Sequence, residues 1–194
     1  MARQARIAKK RGYTLRTRAT AMGRTRNRIT RAAIELHGSI GPAATTMSAV
    51  ADRAGVTRAT LYRHFPDEAT LFAACSADWL AAHPRPVPED LPQGPRPARL
   101  TAALDAVYAW YREDAPMRAN LLRDAEVFPA PIRDGIRSFP DTWVEALAPE
   151  WGSSIRTRAT LALAFSFEPW RTLTSSGLSD AEARDLMVRL VGAA

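Results

Sequence analysis

Apolar residues recur at intervals of three and four along most of this chain, the spacing of one face of an α-helix, and no alternating strand-like run bounded by turn residues appears. From Arg26, the stripe Ile29, Ala32, Ala33 and Leu36 predicts a first helix that ends at Gly38 and Gly41-Pro42. Thr45-Thr46 offers an N-cap for a short second helix, Met47 to Ala54, which Gly55 stops. Thr57 caps a third helix through about Phe65. Asp67 caps a longer fourth helix carrying Leu71, Phe72, Cys75, Trp79 and Leu80.

The stretch from His83 to Pro97 is too rich in proline to be a helix interior and reads as a connection. Beyond it, Leu100, Leu104, Val107, Tyr108 and Tyr111 mark a long helix, and Leu121, Leu122 and Ala125 a shorter one. Ile132, Ile136, Trp143 and Leu147 mark another, with a break expected at Pro140. Ser154 caps an apolar segment from Ile155 to about Ser175 that Pro169 interrupts, and Ser179 with Glu182 has capping-box spacing for a last helix. The pattern predicts an all-α protein of about nine helices: a three-helix N-terminal domain followed by a helical bundle.

Charge changes this picture at one end only. Eleven Lys or Arg residues fall between Arg3 and Arg31 with no acid before Glu35, so the net +7 comes from the N-terminus and the rest of the chain is net acidic. A basic, flexible arm over residues 1–23 suits a phosphate backbone. An annotated start placed upstream of Met22 and a transit peptide are the competing readings. The lone Cys75 admits no intrachain disulfide and no cysteine-based zinc site, and no apolar run reaches the length of a membrane span. A cytoplasmic protein is expected. No His/Asp/Glu cluster has ligand spacing and no nucleotide or nucleophile motif is present, so the expectation is no metal, no cofactor and no catalysis.

The second and third helices carry the chemistry. Two short helices that cross closely need a small residue at the contact, a turn tolerant of positive φ, and apolar anchors; Ala51, Gly55, Val56, Leu61 and Phe65 supply these in register. At 100° per residue Ala59, Thr60 and Arg63 face away from Leu61 and Phe65, toward a major groove, with Arg58 at the edge of that face. Arg58 and Thr60 are the base-reading candidates, since Arg pairs with guanine and Thr meets a thymine methyl. Tyr62, His64, Thr46 and Thr57 suit phosphates, and Ser48 and Arg26 complete the candidate DNA-binding set.

The segment TTMSAVADRAGVTRATLYRHFPDEATLF, Thr45 to Phe72, resembles the DNA-binding domain of the tetracycline-repressor (TetR) family, and the likeness extends back through RNRITRAAIELHGSIG, Arg26 to Gly41. The family usually has Lys where this chain has Glu68, which removes a phosphate contact that the basic arm can replace. The resemblance implies a DNA-binding domain over 24–72 and an effector-binding, dimer-forming domain over 73–194. It implies a homodimeric repressor on a palindromic operator in double-stranded DNA, released by a small-molecule effector. An architectural DNA-binding protein without ligand control is the alternative.

Within the second domain, Tyr108, Trp110, Tyr111, Leu121, Phe128, Trp143, Phe167 and Trp170 are candidates to line an effector pocket, ordinary core being the other reading of each. Arg112, Asp124 and Glu168 are candidates to orient a polar group there, or else face solvent. Leu161, Phe165, Leu186, Met187 and Leu190 are candidates for the subunit interface, in the last two helices that the resemblance makes the dimer-forming pair, ordinary core being the equally weighted reading of each.

Overall fold

Short polar side chains set the helix starts. The hydroxyls of Thr46, Thr57 and Ser154 accept from the backbone N–H three residues on, and Ser179 and Glu182 close a reciprocal capping box. Asp67 does the same for the fourth helix, accepting from Thr70 N at 2.7 Å. These caps begin α2 (Met47–Ala54), α3 (Arg58–His64), α4 (Glu68–Ala82), α9 (Ile155–Ala164) and α11 (Asp180–Gly192). The computed structural model describes the backbone of residues 2–194 and the side chains of residues 20–194. The other helices are α1 (Ala2–Ser39), α5 (Arg96–Glu113), α6 (Ala115–Arg123), α7 (Ala130–Arg137), α8 (Phe139–Trp151) and α10 (Phe167–Ser175). Among the described residues there is no strand, and none of these helices is long and apolar enough to cross a membrane.

Among the described residues eleven α-helices stand where the periodicity predicts about nine. The break near Pro140 falls at Ser138, two residues earlier, because proline is accommodated in a helix's first turn, where its missing N–H is one the helix leaves unpaired anyway. Pro169 acts the same way, and the chain parts at Phe165-Ser166 instead of at the proline itself. α1 reaches back to Ala2, well before the predicted start near Arg26. Apolar periodicity detects a buried face, whereas alanine, arginine and leucine favour helix without one. The reading of residues 1–23 as a flexible arm lies, for the side chains through Ala19, outside the described residues.

The chain divides into two compact units, Met1–Ala81 and Ala82–Ala194, so the division falls at the end of α4. In the first, Ile29, Ala32 and Ala33 of α1, Met47, Val50 and Ala51 of α2, Leu61 and Phe65 of the α3 turn, and Leu71 and Cys75 of α4 form one core. In the second, α5 packs on α11, and α8 on α9, with α11 also touching α9 and α10. The proline-rich segment is tied to this unit: Trp110 Nε1 donates to His83 O at 3.3 Å, Arg85 to Gly135 O at 3.3 Å, and Arg99 to Pro92 O at 2.9 Å.

A side-chain exchange explains the α9–α10 break. Pro169 has no N–H to offer the Phe165 carbonyl four residues back, and the Tyr111 hydroxyl donates to that oxygen instead, at 2.6 Å. The Tyr108 hydroxyl serves Ala164 O at 2.9 Å. Burial holds both phenols well above their ordinary titration range, so they remain donors at all relevant pH.

His37 and Cys75 meet inside the first unit, Nδ1 to Sγ at 3.8 Å, and the imidazole also packs against the Phe72 ring at 5.4 Å. Burial lowers the His37 pKa to about 4 and pushes the Cys75 thiol up to about 12, so the thiol is a buried apolar group and not a nucleophile. Because the folded state holds His37 neutral, its stability is fully present above the unfolded value near 6.5 and is lost as pH falls toward 4. The expected slope is up to about 1.4 kcal/mol per pH unit, roughly 3 kcal/mol in all. Urea unfolding of wild type and His37→Leu from pH 7.5 to 4.5 measures it; identical pH profiles for the two proteins would refute the assignment.

Candidate DNA interface

Gly55 makes the turn between α2 and α3. Its φ of 61° is left-handed, and the bonds Val56 N to Ala51 O (3.0 Å) and Gly55 N to Asp52 O (3.1 Å) close the end of α2 with glycine at the position that tolerates this conformation. Ala51 is fully buried, as a close helix crossing requires, and Leu61 and Phe65 are fully buried beneath α3. α3 is thereby seated from behind, and its outer side is left open.

That outer side carries the sequence candidates. None of the ten is buried: Arg26, Thr46, Thr57, Arg58, Ala59, Tyr62 and Arg63 are exposed, and Ser48, Thr60 and His64 half-buried. The structure brings Arg58, Ala59, Thr60, Tyr62, Arg63 and His64 together on α3, with Thr57 at its start and Thr46 and Ser48 at the start of α2. The side chains of Arg58 and Arg63 make no hydrogen bond or ion pair among the described residues. The Thr57 hydroxyl accepts from Thr60 N at 3.2 Å and donates to the Thr60 hydroxyl at 3.0 Å, so its proton is committed within the chain while that of Thr60 is left to donate. Thr46 accepts from Ala49 N, which leaves its own hydroxyl proton available to donate. Burial, then the nearby Arg63 and Arg26 charges, lower the His64 pKa, so the ring is neutral near pH 7 in the free protein. Glu68 is exposed at the first position of α4.

Three α1 side chains contact the turn, α2 and the end of α3. The Arg26 guanidinium lies 4.4 Å from the centre of the Phe65 ring, Arg28 donates to Gly55 O at 3.3 Å, and Glu35 pairs with Arg53 of α2 at 2.8 Å. Sequence reasoning singled out Arg26 and missed Arg28. A run of arginines gives no signal of which one reaches the turn, since that depends on how α1 crosses α2.

In the second unit, Tyr108, Trp110, Tyr111, Phe167 and Trp170 form one aromatic cluster, with ring centres 5.2 Å apart for Tyr111–Phe167 and 6.3 Å for Tyr108–Trp170. Phe139, absent from the sequence candidates, joins it 4.8 Å from Trp110. The buried Arg118 guanidinium lies 3.2 Å from the Trp110 ring centre and its Nε donates to Trp110 O; burial lowers its pKa to about 10, still cationic at neutral pH. Trp143 lies apart from this cluster, stacked on Phe165 at 5.1 Å, Phe128 is buried, and Leu121 is half-buried on α6. Arg112 and Glu168 face solvent in pairs with Asp180 and Arg171, whereas Asp124 is buried and accepts from Arg123 at 2.7 Å.

Of the five residues that the sequence puts at a subunit interface, Leu161, Phe165 and Met187 instead lie in the protomer's own core. The inward stripes of α9 and α11 run through Thr157, Leu161 and Ala164 and through Ala183, Met187 and Val191. One turn-face away, Leu186 (37 % exposed) and Leu190 (43 %) do reach solvent, as does Leu163 of α9 (44 %), which sequence reasoning did not single out.

Residues 29–75 match the family model described as bacterial regulatory proteins, tetR family. The whole fold is similar to a TetR-like transcriptional regulator from Rhodococcus sp. RHA1, at 20 % identity and a TM-score of 0.63 over 86 % of this chain and 93 % of that one. A TetR-family regulator from Haemophilus influenzae RD shares 16 % identity with a TM-score of 0.60, over 88 % and 96 % of the two chains. One from Streptomyces coelicolor shares 19 % with a TM-score of 0.58, over 87 % and 78 %. No curated protein matches the chain in sequence.

Proposed function

We propose that the chain is a TetR-family transcriptional regulator and a homodimeric repressor, a reading supported by the match of that family's model to residues 29–75 and by the fold shared with solved regulators. It binds a palindromic operator and is released from it by a small, largely apolar effector. The observation that carries the reading is the α3 surface: Arg58, Ala59 and Arg63 stand exposed and Thr60 half-buried over a fully buried Leu61 and Phe65, so these side chains face outward while the helix behind them is fixed. Arg58 and Thr60 read bases, Thr46, Ser48, Tyr62 and His64 hold phosphates, and Thr57 positions the Thr60 hydroxyl.

A second copy covers the apolar strip of Leu163, Leu186 and Leu190. Two heads related by a two-fold axis then present their α3 helices to successive major grooves, one helical turn apart. The aromatic cluster around Tyr111 and Trp170 forms the wall against which the effector lies, and repacking there shifts the head equilibrium away from the DNA-matched arrangement.

Selection of random-sequence duplexes at near-physiological salt, comparing wild type with Thr60→Ala and Tyr62→Ala, tests the reading. A palindromic site lost in both variants supports it; binding without enrichment replaces it with an architectural role. Leu186→Glu/Leu190→Glu is expected to sediment as a monomer and to bind the selected palindrome on the order of 100-fold more weakly, the loss of a second linked contact. A dimer that survives this double substitution would place the interface elsewhere.

A further inference from the structure

Two of the α1 arginines are held at opposite ends of the α3 helix. Arg28 donates one N–H of its guanidinium to the carbonyl of Gly55, at the turn that precedes α3, and the Arg26 guanidinium lies over the ring of Phe65, the residue that ends it. Both arginines are exposed. Positions two apart on a helix diverge by about 200°, which is how neighbours in sequence reach opposite ends of α3.

The α3 helix runs for seven residues, roughly 10 Å at 1.5 Å per residue. That length is comparable to the major-groove width of about 12 Å. A cation at each end of α3 therefore comes up against a sugar–phosphate strand when the reading face is in the groove. A guanidinium has five N–H donors and the Gly55 carbonyl takes one from Arg28, leaving the others for phosphate oxygens. The face of the Phe65 ring takes none from Arg26. In each case the contact within the chain restrains a long side chain before DNA arrives, so less rotamer freedom is lost on binding.

We infer that Arg26 and Arg28 form a phosphate bracket around the recognition helix, each anchored on its own chain by one contact and grasping one DNA phosphate with its remaining donors. The bracket sets the depth and register of α3 and carries no sequence information, which remains with Arg58 and Thr60. It rests on the DNA-binding reading given above, but not on repression, palindromic symmetry or effector release.

The test measures binding of the full-length protein to the selected duplex and to a scrambled duplex across a salt series, for wild type, Arg26→Gln, Arg28→Gln, the double variant and Arg28→Lys. Each glutamine variant is expected to reduce the slope of log K against log salt by roughly 0.9 per lost phosphate, about twice that in a two-fold dimer. It should weaken both duplexes by the same factor, while Arg28→Lys restores the slope by restoring the charge. Circular dichroism melting of the same proteins separates this from loss of the fold.

A variant that melts like wild type and leaves the salt slope unchanged overturns the bracket. So does one that weakens only the selected duplex, which would make Arg28 a strut for the turn and nothing more. If wild type shows no preferred sequence, yet the slope still falls in the glutamine variants, the bracket stands and sequence-specific regulation fails.

Discussion

Phe65→Ala is expected to destabilise the N-terminal head strongly while leaving the second unit intact. Phe65 is fully buried, ends α3, and packs in the core with Ile29, Leu61 and Leu71. It also carries the Arg26 guanidinium on its ring. Removing a buried phenylalanine costs about 3–5 kcal/mol, the transfer term plus the cavity, against a total stability of roughly 5–15 kcal/mol for a folded domain. Hydrogen exchange measured by mass spectrometry should show protection collapsing over residues 29–75 and persisting over residues 100–191. Operator binding should fall by about two orders of magnitude or more, since a frayed α3 must order before it can read DNA. If protection of the head stays within about 1 kcal/mol of wild type, the core assigned here is wrong.

In the second unit the largest effect is expected at Trp143. The side chain is fully buried and stacked nearly parallel on Phe165, with 7° between the ring planes. Trp143→Ala should destabilise that unit by about 3–5 kcal/mol. Trp143→Phe should cost far less, about 1–2 kcal/mol. The stacking survives, and the indole Nε1 that is removed has no hydrogen-bond partner among the described residues, so no bond is broken with it. Urea unfolding followed by exchange over residues 139–165 compares the two. Equal losses would mean that the indole nitrogen does hold a partner in solution, and that the contrast drawn from its geometry fails.

These two sites differ in how far they could be read from the chain alone. Ala51, Gly55, Leu61 and Phe65 lie within fifteen residues of one another, and their spacing is that of two short helices and a turn. Contacts so local in sequence follow from helical period and backbone stereochemistry, so the head, its caps and its outward face were legible. Trp143 and Phe165 are twenty-two residues apart on different helices, and the cluster joining Trp110, Tyr111, Phe139 and Trp170 draws on three. Periodicity marks each of these aromatics as facing inward but not toward which partner. Phe139 accordingly carries no mark of its place in that cluster, and Trp143 none of its separation from it.

The same limit explains the strip on α9 and α11. Leucines at 161, 163, 186 and 190 look alike in sequence, and only the packing of α11 on α9 and α5 sends Leu161 inward and leaves Leu163, Leu186 and Leu190 in solvent. The departures in helix number have the same origin, because whether a proline interrupts a helix depends on what takes up the carbonyl it leaves free. At Pro169 that is the Tyr111 hydroxyl, from a helix more than fifty residues earlier.

By itself, then, the sequence determined the all-helical class, the capped starts of α2, α3, α4, α9 and α11, and the head with its outward face. Each follows from dihedral preferences, cap chemistry and a 3.6-residue period acting over a turn or two. Tertiary structure alone decided which apolar side chains are core and which are surface in the second unit, where α9 and α10 part, and that Arg28 reaches Gly55. Those outcomes depend on how helices distant in sequence cross, and a crossing is selected by the joint packing of all its side chains, not by any local pattern.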